Sequence, residues 1–218
     1  MRINLKYLRI RLFYKMLEPF SNRQRKKRME MFSTYISDCD IEVPRILDLG
    51  GQPEIWQHIL QPLNITILNL PGITVPVSKS VHYITYIEGD ACNVAQYEDF
   101  SFDVVFSNSV IEHVGDNEQQ KSFANEVHRL AKSYWIQTPS KYFPIEAHCG
   151  IPFWWYLPRS FRELMIERWR KKLPKWTEMV EGTTVLTKAR IKELFPQATI
   201  KSESVFGFVK SYIAYYRS

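Results

Sequence analysis

The sequence predicts a doubly wound α/β domain on a mostly parallel sheet of seven strands. Three observations carry the prediction. Residues 45–51 read RILDLGG: an apolar strand closing on Asp48, a turn at Gly50 and Gly51, then an amphipathic segment. Beyond it, strand-length apolar runs alternate five times with segments of helical character or loops, the pattern of parallel strands joined by crossovers. The run FDVVFS at 102–107 is apolar on both sides, as a strand covered on both faces should be.

At 218 residues there is room for one domain with extensions, and a 45% apolar content supports a real core. Cys39, Cys92 and Cys149 are far apart and lack CxxC spacing, so neither a disulfide framework nor a zinc site is indicated. Asp48, Asp90 and Glu112 show no metal-ligand spacing either, and no metal is expected. The net charge of +6 is uneven. Residues 1–30 hold ten Lys and Arg against two Glu, or +8, which leaves −2 for the rest. A slightly acidic body argues against a nucleic-acid partner, which would need many distributed phosphate contacts. No apolar run of about 18 residues occurs. The basic N-terminus lacks the apolar core and cleavage site of a secretory signal, so a cytoplasmic protein is expected.

In chain order, residues 1–40 form a basic helical arm and 41–218 the α/β domain. Leu5, Leu8, Leu12 and Met16 recur at helical spacing among Arg2, Lys6, Arg9 and Lys15, in a helix that Pro19 should end. A second helix is expected over 22–36, with Arg25, Lys26, Lys27 and Arg28 exposed and Met29, Met31 and Phe32 turned inward. The arm reads either as a peripheral contact with an anionic membrane or as a solvated helix lidding the domain. Residues 46–49 are the first strand, and 54–60 the first helix, with Ile55, Ile59 and Leu60 on its buried face. Residues 65–68 are the second strand, and 71–80 a loop too broken by Pro and Gly for a second helix. Residues 83–88 are the third strand, followed by the turn Gly89, Asp90 and Ala91. The fourth strand at 102–107 precedes a helix over 117–131 with Phe123, Val127 and Leu130 on one face. A fifth strand at 134–137 leads into an aromatic, proline-rich insertion over about 140–182. Thr187 caps a helix that Pro196 stops, and strands at 200–205 and 210–216 close the chain.

Four positions now align. The strand ending at Asp48 is followed 21 residues later by one ending at Asn69. The third turn holds Asp90 and Ala91, and the fourth strand ends in SNSVIEHV at 107–114. On these residues the chain resembles the class I S-adenosylmethionine-dependent methyltransferases. It is most similar to the type 11 group, whose fourth motif is an apolar strand followed by (L/I)EH. Within that group it looks like the small enzymes of surface-sugar and other small-molecule pathways. The resemblance runs from about residue 44 to the C-terminus and leaves the basic arm outside. It implies a Rossmann-like fold, S-adenosylmethionine as cofactor, and a small-molecule or saccharide acceptor methylated on oxygen. By the same resemblance Gly50 and Gly51 lie beneath the methionine part of the cofactor, and Asp48 contacts its amino group directly or through water. Asn69, followed by Leu70, stands where an acidic residue usually holds the ribose hydroxyls. Asp90 meets the adenine amino group with the Ala91 backbone beside the ring. Ser107 and Asn108 line the methionine carboxylate side and the pocket entrance. Two departures stand out. Gln52 and Glu54 replace usual glycines, and Asn69 removes a charge, leaving one acceptor oxygen where a carboxylate has two.

Transfer from a sulfonium needs chiefly an acceptor held in line, about 3 Å from the methyl carbon. A general base is needed only if the acceptor must lose a proton, as a sugar hydroxyl must. The candidates are His113 after the fourth strand, and His148 and Glu146 in IEAHCG on the insertion. Each reads equally as a hydrogen-bonded structural residue. Phe153, Trp154, Trp155 and Tyr156 form either a substrate wall or the packing of a lid, and the basic run 162–175 is a solvated face. A catalytically silent binding module is the alternative that Gln52, Glu54 and Asn69 motivate. A nicotinamide oxidoreductase is disfavoured because Glu54 and Asn69 stand where a third glycine and an acidic residue are needed. A nucleic-acid amino-methyltransferase is disfavoured because SNSV replaces the proline-proline-aromatic tetrad usual in such enzymes.

Overall fold

Seven strands form one sheet in the order β3-β2-β1-β4-β5-β7-β6. They are β1 (Arg45–Leu49), β2 (Asn64–Asn69), β3 (Tyr83–Glu88), β4 (Val104–Asn108), β5 (Ser133–Pro139), β6 (Thr199–Val205) and β7 (Phe208–Tyr216). The structure is a computed structural model that describes residues 5–39, 41–73, 80–146 and 149–218, without the side chains of 5–18, 20, 175, 176 and 179. β1 to β5 are parallel, and β7 runs antiparallel between β5 and β6. The chain winds outward from β1 to β3 and then returns to β4 on the other side. That reversal opens a crevice at the carboxyl ends of β1 and β4, where a doubly wound sheet binds its ligand.

Alternation within each strand separates two apolar faces. On one, Leu47, Leu49, Val105 and Ile136 pack on Phe123, Val127 and Leu130 of α2 (Asn117–Leu130), and on Ile191 and Leu194 of α5 (Lys188–Leu194). On the other, Ile46, Ile65, Ile67, Val104, Phe106 and Trp135 meet Met29, Phe32, Tyr35 and Ile36 of α1 (Leu5–Ser37). The Phe32 ring lies 4.8 Å from that of Phe106 and 5.5 Å from that of Trp135. Residues 29–36 of α1 are therefore core.

Three expectations need correction here. Helix α1 is continuous through Pro19, where two helices are expected. A proline removes one N–H from the ladder, and the burial of Met29 to Ile36 holds the second half of the helix against the sheet. Arg28 is buried, with 5% exposure, because it shares the inner face with Phe32, Tyr35 and Ile36 at spacings of four, seven and eight. The segment after β1 is a 3-10 stretch, Pro53–His58, and not an α-helix over 54–60; it buries Ile55 and Trp56 but leaves Leu60 85% exposed. Pro53 and Pro62 bracket a connection too short for a regular helix. α1 supplies the cover that this segment lacks.

The insertion holds a 3-10 turn (Trp154–Tyr156), α3 (Arg159–Arg170) and α4 (Pro174–Glu181). Buried Trp154 stacks on Trp169 at 5.3 Å, while Phe153 and Tyr156 are exposed. Thr187 caps α5 by accepting from the Arg190 N–H at 3.1 Å. No helix among the described residues is long and apolar enough to cross a membrane, and no group of three His, Cys, Asp or Glu is placed to hold a metal.

Candidate functional site

Asp48 is fully buried near the end of β1. Trp56 Nε1 donates to its Oδ2 at 2.8 Å, and Oδ1 has no partner. Burial pushes the carboxyl up to about 7, and the Trp56 bond only partly opposes it. A Cβ at residue 51 would stand 1.8 Å from Asp48 Oδ2, so the buried carboxylate itself demands Gly51. Gly50 has φ +71°, and a Cβ there would come within 2.6 Å of Val110 Cγ2. Its N–H donates to Leu68 O at 2.7 Å, which ties the turn to β2.

At the end of β2, buried Asn69 donates through Nδ2 to Gly51 O at 3.0 Å, which leaves its Oδ1 as the acceptor. Leu70 is 56% exposed at the rim. Asp90 is exposed beyond β3, its Oδ1 accepting from the Cys92 N–H at 2.8 Å, with Ala91 buried beside it. Asp48, Gly50, Gly51, Asn69, Leu70, Asp90 and Ala91 thus gather at the carboxyl ends of three adjacent parallel strands.

Ser107 departs from its expected place. It is fully buried on the α2 face and donates to Leu49 O at 3.1 Å, so it ties β4 to β1 and does not line the crevice. Ser107→Ala should cost about 1 kcal/mol in urea melts and leave ligand affinity unchanged. A weakened affinity would return Ser107 to the site.

Asn108 projects from the opposite face and accepts from Arg28 Nη1. Arg28 also donates to both Glu203 carboxylate oxygens, through Nε at 3.1 Å each and Nη2 at 2.6 Å, and through Nη1 to Gln137 Oε1 at 3.2 Å. Ser211 Oγ donates to Glu203 as well. One buried guanidinium thus joins α1 to the ends of β4, β5 and β6.

Among the candidate bases, His113 is exposed, with Nδ1 3.4 Å from Thr183 Oγ1. Its neighbour Glu112 is fully buried and accepts from Thr138 Oγ1 at 2.9 Å, while Glu112 O accepts from the Thr184 N–H at 2.6 Å. The end of the insertion is thereby pinned beside His113. Glu146 is buried and caps its own turn, accepting from the Cys149 N–H at 2.6 Å. Burial, and then Glu146, push the Cys149 thiol up. His148 lies outside the described residues.

Sequence reasoning missed Trp56, Arg28, Gln137, Glu203 and Ser211. A carboxylate inside an apolar strand needs a donor, and Trp56, eight residues on, is a nearby apolar residue with an N–H to give. Arg28 was legible from its helical phase. Glu203 sits on an edge strand whose polar alternation gives no warning.

A family model described as a methyltransferase domain matches residues 71–134. This span, less than a third of the chain, begins after β2 and takes in β3, β4 and α2. Over these residues the chain is similar to a methyltransferase domain. The fold of this chain is similar to that of magnesium protoporphyrin IX methyltransferase from Synechocystis PCC 6803, solved with bound SAH, at TM-score 0.51 and 10% identity over 88% of this chain and 83% of that one. Similarity extends to the N-methyltransferase NodS of Bradyrhizobium japonicum, at TM-score 0.49 and 13% identity over 90% and 95% of the chains. A methyltransferase of Methanosarcina mazei aligns at TM-score 0.47 and 15% identity over 83% and 95%. No curated protein sequence matches this chain.

The residues present fit S-adenosylmethionine. Asp48 Oδ1 is a buried acceptor without a donor beside the glycine turn, Asn69 keeps an acceptor oxygen at the end of β2, and Asp90 stands exposed at the end of β3. An ammonium, a ribose hydroxyl and an adenine amino group are donors of the kind these three acceptors require.

Proposed function

We propose that this protein transfers a methyl group from S-adenosylmethionine to a small-molecule or saccharide acceptor, on oxygen. The observation that carries the reading is the buried, half-satisfied carboxylate of Asp48 beneath the Gly50–Gly51 turn, since a buried charge without a second partner calls for a cation. When bound, the cofactor supplies a methyl group already activated by its sulfonium. The chain's own residues then have three tasks. Asp48, Asn69 and Asp90 hold the ammonium, the ribose and the adenine. The insertion, with exposed Phe153 and Tyr156, offers apolar surface for the acceptor. His113 is the residue in this reading that would take the acceptor hydroxyl's proton, because its imidazole is exposed shortly after the end of β4. Glu146 is less suited, since one of its oxygens is already occupied by its own turn.

Isothermal titration with S-adenosylhomocysteine tests the reading directly: a micromolar dissociation constant is expected, and no heat at millimolar ligand would refute it. His113→Gln should lower methyl transfer to a hydroxyl acceptor by about a hundredfold and remove the acid limb of the pH-rate profile, with unchanged cofactor affinity. An unchanged profile would exclude His113 as the base. A catalytically silent binding module is the second reading, favoured by Val110 packed over Gly50 and by the Asn69 amide turned to Gly51 O. The same titration separates the two.

A further inference from the structure

Arg28 only donates hydrogen bonds. Any amide atom that faces it must therefore be the oxygen, which orients both amides it touches. Arg28 Nη1 meets Asn108 Oδ1 and Gln137 Oε1, and Ser109 Oγ donates to the same Gln137 oxygen at 2.9 Å. With both oxygens committed, Asn108 Nδ2 and Gln137 Nε2 are left to donate, and among the described residues neither has a protein acceptor. Gln137 is only 2% exposed, but its amide nitrogen is not among the fully buried atoms left without a partner, so it keeps access to solvent and can donate to an oxygen from outside the protein.

The two amides belong together. Asn108 and Gln137 are register partners at the carboxyl ends of β4 and β5, on the same face of the sheet, immediately beside the crevice. Ser109 follows in a left-handed conformation, φ +60°, and is held there by the bond to Gln137 and by its N–H to Gln137 O at 3.0 Å. A strained non-glycine residue of this kind persists only where the surroundings enforce it. The local charge is positive. The Lys210 ammonium is lowered first by burial and then by Arg28 and Arg25, against which only Glu203 acts in the other direction.

The geometry points to an oxyanion subsite formed by the Asn108 and Gln137 amides, which takes a carboxylate or phosphate group carried by the methyl acceptor. Arg28 is its positioning residue: it contacts no ligand, but turns both amides so that they donate. The inference rests on the methyl-transfer reading, because it is the cofactor over Gly50 and Gly51 that makes the neighbouring strand ends an acceptor site. It narrows the acceptor from any small molecule to an acidic one. Donors without a carboxylate among them select oxyanions over neutral sugars, and the positive surroundings add long-range attraction.

The test is diffraction from crystals of the protein with S-adenosylhomocysteine, soaked separately in sodium selenate and in 4-bromobenzoate. Selenate stands for a phosphate and bromobenzoate for a carboxylate, and both scatter anomalously. A peak from either one within hydrogen-bond distance of both amide nitrogens is expected, and which soak gives it identifies the group. The peak should vanish in Gln137→Glu and in Gln137→Met, with the adenosyl ligand retained; Gln137→Met keeps the volume and so covers the case in which the added charge prevents folding. A wild-type crystal in which the ligand's own carboxylate fills the amides, or in which neither anion binds there, overturns the subsite. So does an anion peak that persists in both variants. Selenate at the amides in crystals that take up no S-adenosylhomocysteine would instead overturn the methyl-transfer reading and leave the oxyanion site standing.

Discussion

Arg28→Met should destabilise the protein by about 3–5 kcal/mol in denaturant melts, the usual result of stripping one partner from a buried ion pair. Arg28 and Glu203 have side chains 6% and 8% exposed and meet at 2.6 Å. Removing the guanidinium leaves the Glu203 carboxylate buried beside only the Ser211 hydroxyl and a half-buried Lys210. It also strips the Arg28 bond from Asn108 Oδ1 and leaves Gln137 Oε1 with Ser109 Oγ as its donor. The decisive companion is Arg28→Met combined with Glu203→Gln, which removes both charges and should recover more than half of the loss. If the double variant is as unstable as the single one, the charge pair is not what holds α1, and the apolar contacts of Phe32 and Tyr35 carry it instead. A second consequence separates docking from stability: after Arg28→Met, protease cleavage within residues 5–27 should accelerate more than cleavage in the sheet, because local opening precedes global unfolding.

The sheet was legible because its signals are local. Each parallel strand is an apolar run bounded by turn residues, and observed limits differ from the expected ones by at most two residues. Asp116 and Thr187 each announce a helix start by residue type, and both accept backbone N–H groups there. What failed was anything decided by a partner distant in sequence. The basic run around Arg28 looks like a solvated face until Glu203, 175 residues away, is brought against it. Ser107 looks like a pocket residue until the register of β1 and β4 places Leu49 O beside it. The short segment after β1 looks like a helix because Ile55 and Ile59 are correctly spaced, but α1 already occupies the face that such a helix would cover. The placement of Asp48, Asn69 and Asp90 at strand ends was therefore readable. The contacts that α1 makes with the ends of β4, β5 and β6 on returning from the N-terminus were not.

Asp48→Asn should make the protein more stable above neutral pH and a poorer binder of the cofactor at once. In the native state burial raises the Asp48 carboxyl to about 7, whereas an unfolded chain releases that proton near 4. Between those values the folded state holds a proton that the unfolded state has lost, so stability falls as pH rises through this window. Three pKa units correspond to about 4 kcal/mol at full ionisation, an upper bound that relaxation of the site reduces. Asparagine carries no such cost. Its oxygen keeps the Trp56 bond, and its nitrogen replaces the oxygen that has no partner. In urea melts the variant should match the wild type near pH 4 and exceed it by about 2–4 kcal/mol at pH 8. Titration with S-adenosylhomocysteine should show the reverse. Wild-type affinity should rise through pH 7 as the carboxylate ionises to meet the ligand ammonium, and the variant should be weaker and flat with pH. Parallel stability curves for the two proteins would show that Asp48 is ionised throughout. A stable variant with undiminished affinity would show that the ammonium is held elsewhere. The expected pair of results would share one physical cause: a costly carboxylate kept under the glycine turn because the ligand, and not the fold, completes its hydrogen bonding.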